Sequence, residues 1–208
     1  MSPGANETRL TLLSRVRDPS DTAAWREFED MYREMLVRFC LSQAVQHADA
    51  EDAVQQVFTN LSRTLPGFVY DPQRGRFRDY LFRATRNAIT ALRSRKRPIT
   101  GLMPLSQDES RVGWEPDTGD QPSPAESAAW EKEWVAHHYR RALTKVRAQF
   151  EPRSVEVFER NVAGVSVALL AQEFGMTEEA VYKVRQRVRA RMQELIEEQV
   201  RDEDRVDP

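Results

Sequence analysis

Apolar residues recur at three- and four-residue steps through most of this chain, the spacing of one face of an α-helix. Trp25, Phe28, Tyr32, Leu36 and Phe39 form one such stripe. Asp18-Pro19-Ser20-Asp21 precedes it and supplies turn and N-cap chemistry. A second helix opens at Asp49-Ala50-Glu51-Asp52, where acidic side chains suit the positive end of the helix dipole. Its stripe is Val54, Val57, Phe58, Leu61 and Leu65, and Pro66-Gly67 ends it. A third helix begins near Phe77 and turns Leu81, Ala84, Ala88 and Leu92 inward. No segment alternates apolar and polar residues as a half-buried strand does, so the expected fold is all-α.

Residues 98–125 break the periodicity with Pro98, Pro104, Pro116, Pro122 and Pro124 and with Gly101, Gly113 and Gly119. Such a stretch is too long for an ordinary connection within a compact domain. It reads as a flexible acidic linker between two small helical domains, residues 1–97 and 126–200, with an acidic tail at 201–208. Beyond it, Trp130, Trp134, Leu143 and Val146 mark one helix. Pro152 suits the first turn of the next, with Val155, Phe158 and Val162 inward and Gly164 at its end.

Residues 166–192 read as a helix-turn-helix, which makes the second domain a candidate DNA reader. Ser166 can cap a short helix that Gly175 terminates, and Thr177 can cap the longer helix that follows. Val167, Leu170, Ala171 and Phe174 face inward on the first, and Val181, Val184, Val188, Met192 and Leu195 on the second. Projection at about 100° per residue puts Glu179, Lys183, Gln186 and Ala190 opposite the valine stripe, flanked by Tyr182 and Arg187. Lys and Arg donate to guanine, Gln pairs with adenine and Glu accepts from cytosine. Arg185, Arg189 and Arg191 lie nearer the sides, where phosphates are the expected contacts.

Charge sharpens this picture. The 208 residues carry 31 basic and 33 acidic side chains, a net charge of −2, but the signs are segregated. Residues 74–97 hold nine bases and one acid, and residues 177–192 hold five bases and two acids, inside an otherwise acidic chain. Local charge therefore points to polyanion binding at two places that the average conceals. The first is the turn-rich segment Tyr70-Asp71-Pro72-Gln73-Arg74-Gly75-Arg76-Phe77-Arg78 and the helix it feeds, whose outward residues are Arg83, Arg86, Asn87, Thr90 and Arg93. Arginines interleaved with Tyr70, Phe77 and Tyr80 suit unstacked bases, although both Phe77 and Tyr80 are also candidates for the core.

The same inventory excludes other classes. With 31% charged residues and no apolar run near the roughly 20 that span a bilayer, no membrane insertion is expected. Residues 1–13 lack a basic end followed by an apolar stretch, so no secretory leader is expected. A lone cysteine, Cys40, fits a core position in a reducing cytoplasm. His47, His137 and His138 form no metal-ligand spacing, and neither a phosphate-binding glycine loop nor a nucleophile elbow is present. No cofactor and no catalysis are expected. A self-sufficient helix-turn-helix regulator is the other binding-protein reading, but such proteins usually dimerise, and no spare heptad seam is visible.

Three segments in order, Asp49-Ala50-Glu51-Asp52-Ala53-Val54-Gln55-Gln56-Val57-Phe58, then 75–87, then 165–191, resemble those of extracytoplasmic-function sigma factors, the two-domain type of bacterial RNA polymerase sigma factor. The resemblance covers residues 8–97 and 126–198. It implies a protein that binds core RNA polymerase and directs promoter-specific initiation. Asp49, Asp52, Gln55, Gln56, Thr59 and Arg63 would meet the polymerase clamp helices. Arg74, Arg76, Arg78, Arg83, Arg86, Asn87, Thr90 and Arg93 would engage the minus-ten element. Glu179, Tyr182, Lys183, Gln186, Arg187 and Arg189 would engage the minus-thirty-five element. An anti-sigma protein is a further implied partner. The linker would be a nucleic-acid mimic or a solvated spacer, and the acidic tail, unusual after this second domain, a shield for the basic helix or a solubilising end.

Overall fold

The computed structural model describes residues 12–67, 76–96 and 121–204. Among these residues the secondary structure is helical, without strands: α1 (Leu12–Arg15), α2 (Thr22–Ser42), α3 (His47–Thr64) with a 3-10 turn at Leu65–Gly67, α4 (Phe77–Lys96), α5 (Pro124–Gln149), α6 (Pro152–Val162), α7 (Val167–Glu173) and α8 (Glu178–Asp204). The chain divides into two compact units, Met1–Glu133 with Asp202–Pro208, and Trp134–Arg201.

In the first unit, the Asp21 carboxylate caps α2 by accepting from the Ala24 amide at 2.8 Å. That bond and the Arg15 guanidinium at 3.1 Å hold the carboxyl below its ordinary range. The expected α2 stripe is mostly inward: Phe28, Tyr32, Leu36 and Phe39 are buried, with Ala24, Met35, Val37 and Cys40 beside them, while Trp25 is half-buried. Burial pushes the Cys40 thiol up to about 12, so it stays protonated as a core residue. α3 starts two residues earlier than the acidic cluster suggests, at His47, and its stripe Val54, Val57, Phe58, Leu61 and Leu65 is buried as expected. Phe28 gathers Tyr32, Phe58 and Phe77 around itself at ring separations of 4.9, 6.1 and 5.9 Å. Offset and edge contacts of this kind add to the burial of apolar area.

α4 differs from its expected face. Leu81 and Ala84 are buried, but Ala88 and Leu92 are only half-buried, and Phe77, Tyr80, Thr85 and Ile89 complete the inward side. Thr85 is accommodated because its hydroxyl donates to the Leu81 carbonyl one turn back, at 2.8 Å. Tyr80 is accommodated by a 2.9 Å hydrogen bond between its hydroxyl and that of Thr64.

The expected linker boundary also moves. Pro124 and Ala125 are the first residues of α5 rather than the end of a linker. Ser123 and Glu126 form a capping box: the Glu126 carboxylate accepts from the Ser123 amide at 2.9 Å, and the Ser123 hydroxyl accepts from the Glu126 amide at 3.2 Å. Pro124 takes the first helical position, where its missing N–H costs nothing. Residues 124–133 belong to the first unit, where Trp130 stacks on Phe82 and meets Phe39 edge-on, each at 5.1 Å. The division between units therefore falls at 133/134 instead of 125/126.

In the second unit α6 feeds two cores. Val155 and Phe158 join Ala142, Val146, Val188, Met192 and Leu195. Val157 joins Leu170, Ala171 and Val181. Val162, expected inward, is 60% exposed, because the buried positions on α6 straddle two neighbours and do not continue down one stripe. α8 runs through the expected end of the second domain to Asp204, so residues 201–204 of the acidic tail are helical.

Candidate nucleic-acid interface

The helix-turn-helix is assembled by local chemistry. The Ser166 hydroxyl accepts from the Leu169 amide at 3.3 Å and caps α7. Gly175 has φ +57, the left-handed conformation that ends a helix most readily without a Cβ. The Thr177 hydroxyl accepts from the Ala180 amide at 3.1 Å and starts α8. Arg153 of α6 donates to the Phe174 carbonyl, and Arg160 pairs with Glu173 at 2.6 Å, so α6 fastens the turn from outside. Val181 is fully buried against α6 and α7, and Val188 against α5 and α6, which fixes the rotation of α8.

That rotation puts Glu179, Tyr182, Lys183, Gln186, Arg187 and Arg189 on the exposed side. Lys183 bonds Glu179 at 2.7 Å, but both side chains are about three-quarters exposed, so the pair is worth only tenths of a kcal/mol and yields readily to a nucleic acid. The Arg187 guanidinium lies 5.5 Å from the Phe150 ring centroid. Arg185 and Arg191, grouped with Arg189 as phosphate contacts in the sequence, are engaged within the unit. Arg185 donates to Asn161 at 3.3 Å, and Arg191 donates to Gln149 and Glu194, each at 2.9 Å. A groove of about 320 Å³ on the same unit is lined by Tyr139, Phe158, Val162, Met192 and Ile196, together with Arg185 and Arg189.

On the first unit, α4 carries the basic surface. Arg76, Asn87, Thr90 and Arg93 are exposed, and Arg78, Arg83 and Arg86 are half-buried. Within the unit Arg78 pairs with Glu131, Arg86 pairs with Glu126 at 3.7 Å, and Arg93 donates to the Gln43 carbonyl at 2.7 Å. Phe77 and Tyr80 are 1% and 4% exposed, so they support the helix from the core instead of offering rings to bases. Arg74 and Tyr70, also named as candidates, lie outside the described residues.

The outward face of α3 presents Asp52, Gln55, Gln56 and Arg63 to solvent, with Asp49 and Thr59 half-buried beside them. The glutamines are less idle than their spacing implies. Gln55 accepts from Arg33 at 2.9 Å, and Gln56 donates to Asn60 at 2.9 Å. Arg33 also pairs with Glu51 at 3.2 Å and Glu29 at 3.3 Å, with its guanidinium 5.4 Å from the Phe58 ring. Sequence reasoning missed Arg33 because Glu51, Gln55 and Phe58, three of its partners, lie on another helix.

Comparison with known proteins relates part of this arrangement to a known family. Residues 28–98 match the family model Sigma-70 region 2, and the described part of that segment holds most of α2, all of α3 and all of α4. No curated protein sequence matches the chain. Among solved structures, CnrH in complex with the cytosolic domain of CnrY is similar at 21% identity, over 89% of this chain and 95% of that one, with a TM-score of 0.34. The region 2 match lies on the unit whose α3 and α4 carry the polar and basic faces described above, and residues 28–98 are similar to that region of the sigma-70 proteins.

Proposed function

We propose that the chain is an alternative sigma factor of the extracytoplasmic-function type, acting by binding core RNA polymerase and selecting promoters, without catalysis of its own. The observation that carries this reading is the joint presence of a sigma-70 region 2 match at 28–98 and a separate, fully capped helix-turn-helix at 166–192. In this reading the face of α3 from Asp49 to Arg63 docks on the polymerase. Mid-helix amides and an isolated arginine suit that contact, because they make directional hydrogen bonds with little charge to desolvate.

α4 and the residues before it would hold the minus-ten element in this reading. Arg76, Arg83 and Arg93 grip phosphates, and the pairs Arg78–Glu131 and Arg86–Glu126 exchange an acidic partner for DNA. α8 would enter the major groove of the minus-thirty-five element by its N-terminal turns. Core RNA polymerase and promoter DNA are the partners, and an anti-sigma protein covering those same faces is a further one. Among the described residues no helix is long and apolar enough to cross a membrane, and the reading places the protein in the cytoplasm. Run-off transcription with core polymerase, the purified chain and a randomised promoter library tests the proposal. Selected templates with two separated sequence elements support it. Transcription that is indifferent to promoter sequence overturns it.

A further inference from the structure

Tyr182 is the exposed aromatic of a helix face otherwise made of charged and amide side chains. It is 50% exposed, at the fifth residue of α8, in the turns with which helix-turn-helix proteins meet base edges. A half-exposed ring on a long side chain would ordinarily sample several rotamers. Here it is braced. The Arg185 guanidinium, one turn on, lies 5.3 Å from the ring centroid. Arg185 is itself held: its Nη1 donates to Asn161 Oδ1 at 3.3 Å. Asn161 is held in turn, because its Nδ2 donates to the Val165 carbonyl at 3.0 Å, in the turn between α6 and α7. A continuous series of contacts thus runs from that turn, through Asn161 and Arg185, to one face of the Tyr182 ring.

We propose that Tyr182 is a specificity-determining residue that makes apolar contact with a thymine methyl group, and that Arg185 and Asn161 are positioning residues for its ring. The inference rests on the sigma-factor reading of α8 and adds to it. It also reassigns Arg185, whose basic charge alone would suggest a phosphate contact. The chemistry follows from the major groove: the thymine methyl is its one apolar marker, and a ring with one face covered and its edge open is suited to it. Lys183, Gln186 and Arg187 supply hydrogen bonds on the same face, so a methyl reader there adds a kind of information that they cannot. Fixing the ring before binding removes an ordering cost that a free side chain would incur on the DNA.

The test has two parts, both on the full chain. In the free protein labelled with fluorotyrosine, the five tyrosines give separable fluorine NMR signals, and Tyr182→Phe assigns the one of interest. Arg185→Ala is expected to shift that signal and leave those of buried Tyr32 and Tyr80 in place; an unmoved Tyr182 signal overturns the bracing. The second part uses reconstituted holoenzyme on templates selected from a randomised upstream element. Each selected thymine is replaced by deoxyuridine, which removes only the methyl. At one position the wild type is expected to lose about fourfold in promoter affinity, the worth of one buried methyl group. Tyr182→Ala is expected to be indifferent to that replacement, Tyr182→Phe to remain sensitive, and Arg185→Ala to lose most of the sensitivity.

A wild type insensitive to every methyl overturns the role of Tyr182 while leaving the sigma reading intact. Uniform weakening by Arg185→Ala, with full methyl sensitivity kept, makes Arg185 a phosphate contact and overturns its positioning role. No initiation from any template removes the sigma reading, and this proposal with it.

Discussion

Leu170 and Val162 provide a paired perturbation of the helix-turn-helix whose outcomes should differ widely. Leu170 is 0% exposed and is the largest side chain in the small core it shares with Val157, Ala171 and Val181. Leu170→Ala removes three carbons, a transfer loss of about 2.4 kcal/mol at roughly 0.8 kcal/mol per methylene. Incomplete collapse of the cavity raises the cost to about 3 kcal/mol. A unit the length of Trp134–Arg201 is expected to hold only about 3 to 10 kcal/mol in all, so the loss is a large fraction of its stability. Val162→Ala removes apolar carbons from a neighbouring helix, but at a position 60% exposed, and should change stability by less than about 0.5 kcal/mol. Amide hydrogen exchange reads each unit separately, which matters because a two-unit chain need not unfold in one step. In Leu170→Ala the amides of Val181 to Val188 should exchange about a hundredfold faster, with α2 and α3 unchanged. Equal effects of the two substitutions, or a Leu170→Ala cost below about 1 kcal/mol, would refute the placement of α7 against α8.

Other outcomes follow from the surfaces and from one buried group. Lys183→Glu with Arg187→Glu should abolish promoter selection while capture of core polymerase persists, and the loss of promoter binding on raising salt should be less steep than for wild type. Gln55→Ala with Gln56→Glu should weaken core capture with an unaltered circular dichroism spectrum, since neither side chain is buried; unchanged affinity would remove α3 from the polymerase contact. His137 is held down to about 3, first by burial and then by the nearby positive charge of Arg141, His138 and Arg140. Its neutral form is favoured in the fold, so its contribution is complete above the unfolded value of about 6.5 and is lost as pH falls from there toward 3. Urea titrations should show stability declining over that window by up to about 1.4 kcal/mol per pH unit from this group, and His137→Phe should flatten the slope.

How much of this was legible in the sequence depends on how local the deciding contact is. Asp21, Ser166, Gly175 and Thr177 act on amides or turns within three residues, and the helix ends they set lie where the sequence puts them. The start of α5 was equally local: Ser123-Pro124-Ala125-Glu126 carries the capping-box spacing, but the surrounding prolines and glycines made it look like linker. Val162 misled because a single inward stripe was assumed for α6, whereas the helix packs into two cores. Tyr80 and Thr85 are polar residues whose burial depends on particular hydrogen bonds, one of them to Thr64 across the unit. Arg33–Gln55 and Arg185–Asn161 join positions more than twenty residues apart, which no periodicity reveals. The α8 terminus was missed for the opposite reason: no glycine or proline halts the helix before Asp204, and acidic composition was read as the end of structure.

The most direct test of the sigma assignment is capture of core RNA polymerase by the purified full chain, measured alongside its binding to duplex promoter DNA alone. A sigma factor should form a stoichiometric complex with core and bind promoter tightly only within that complex. Tight binding to duplex DNA by the chain alone, with no capture of core, would contradict the assignment and identify a self-sufficient DNA-binding regulator instead.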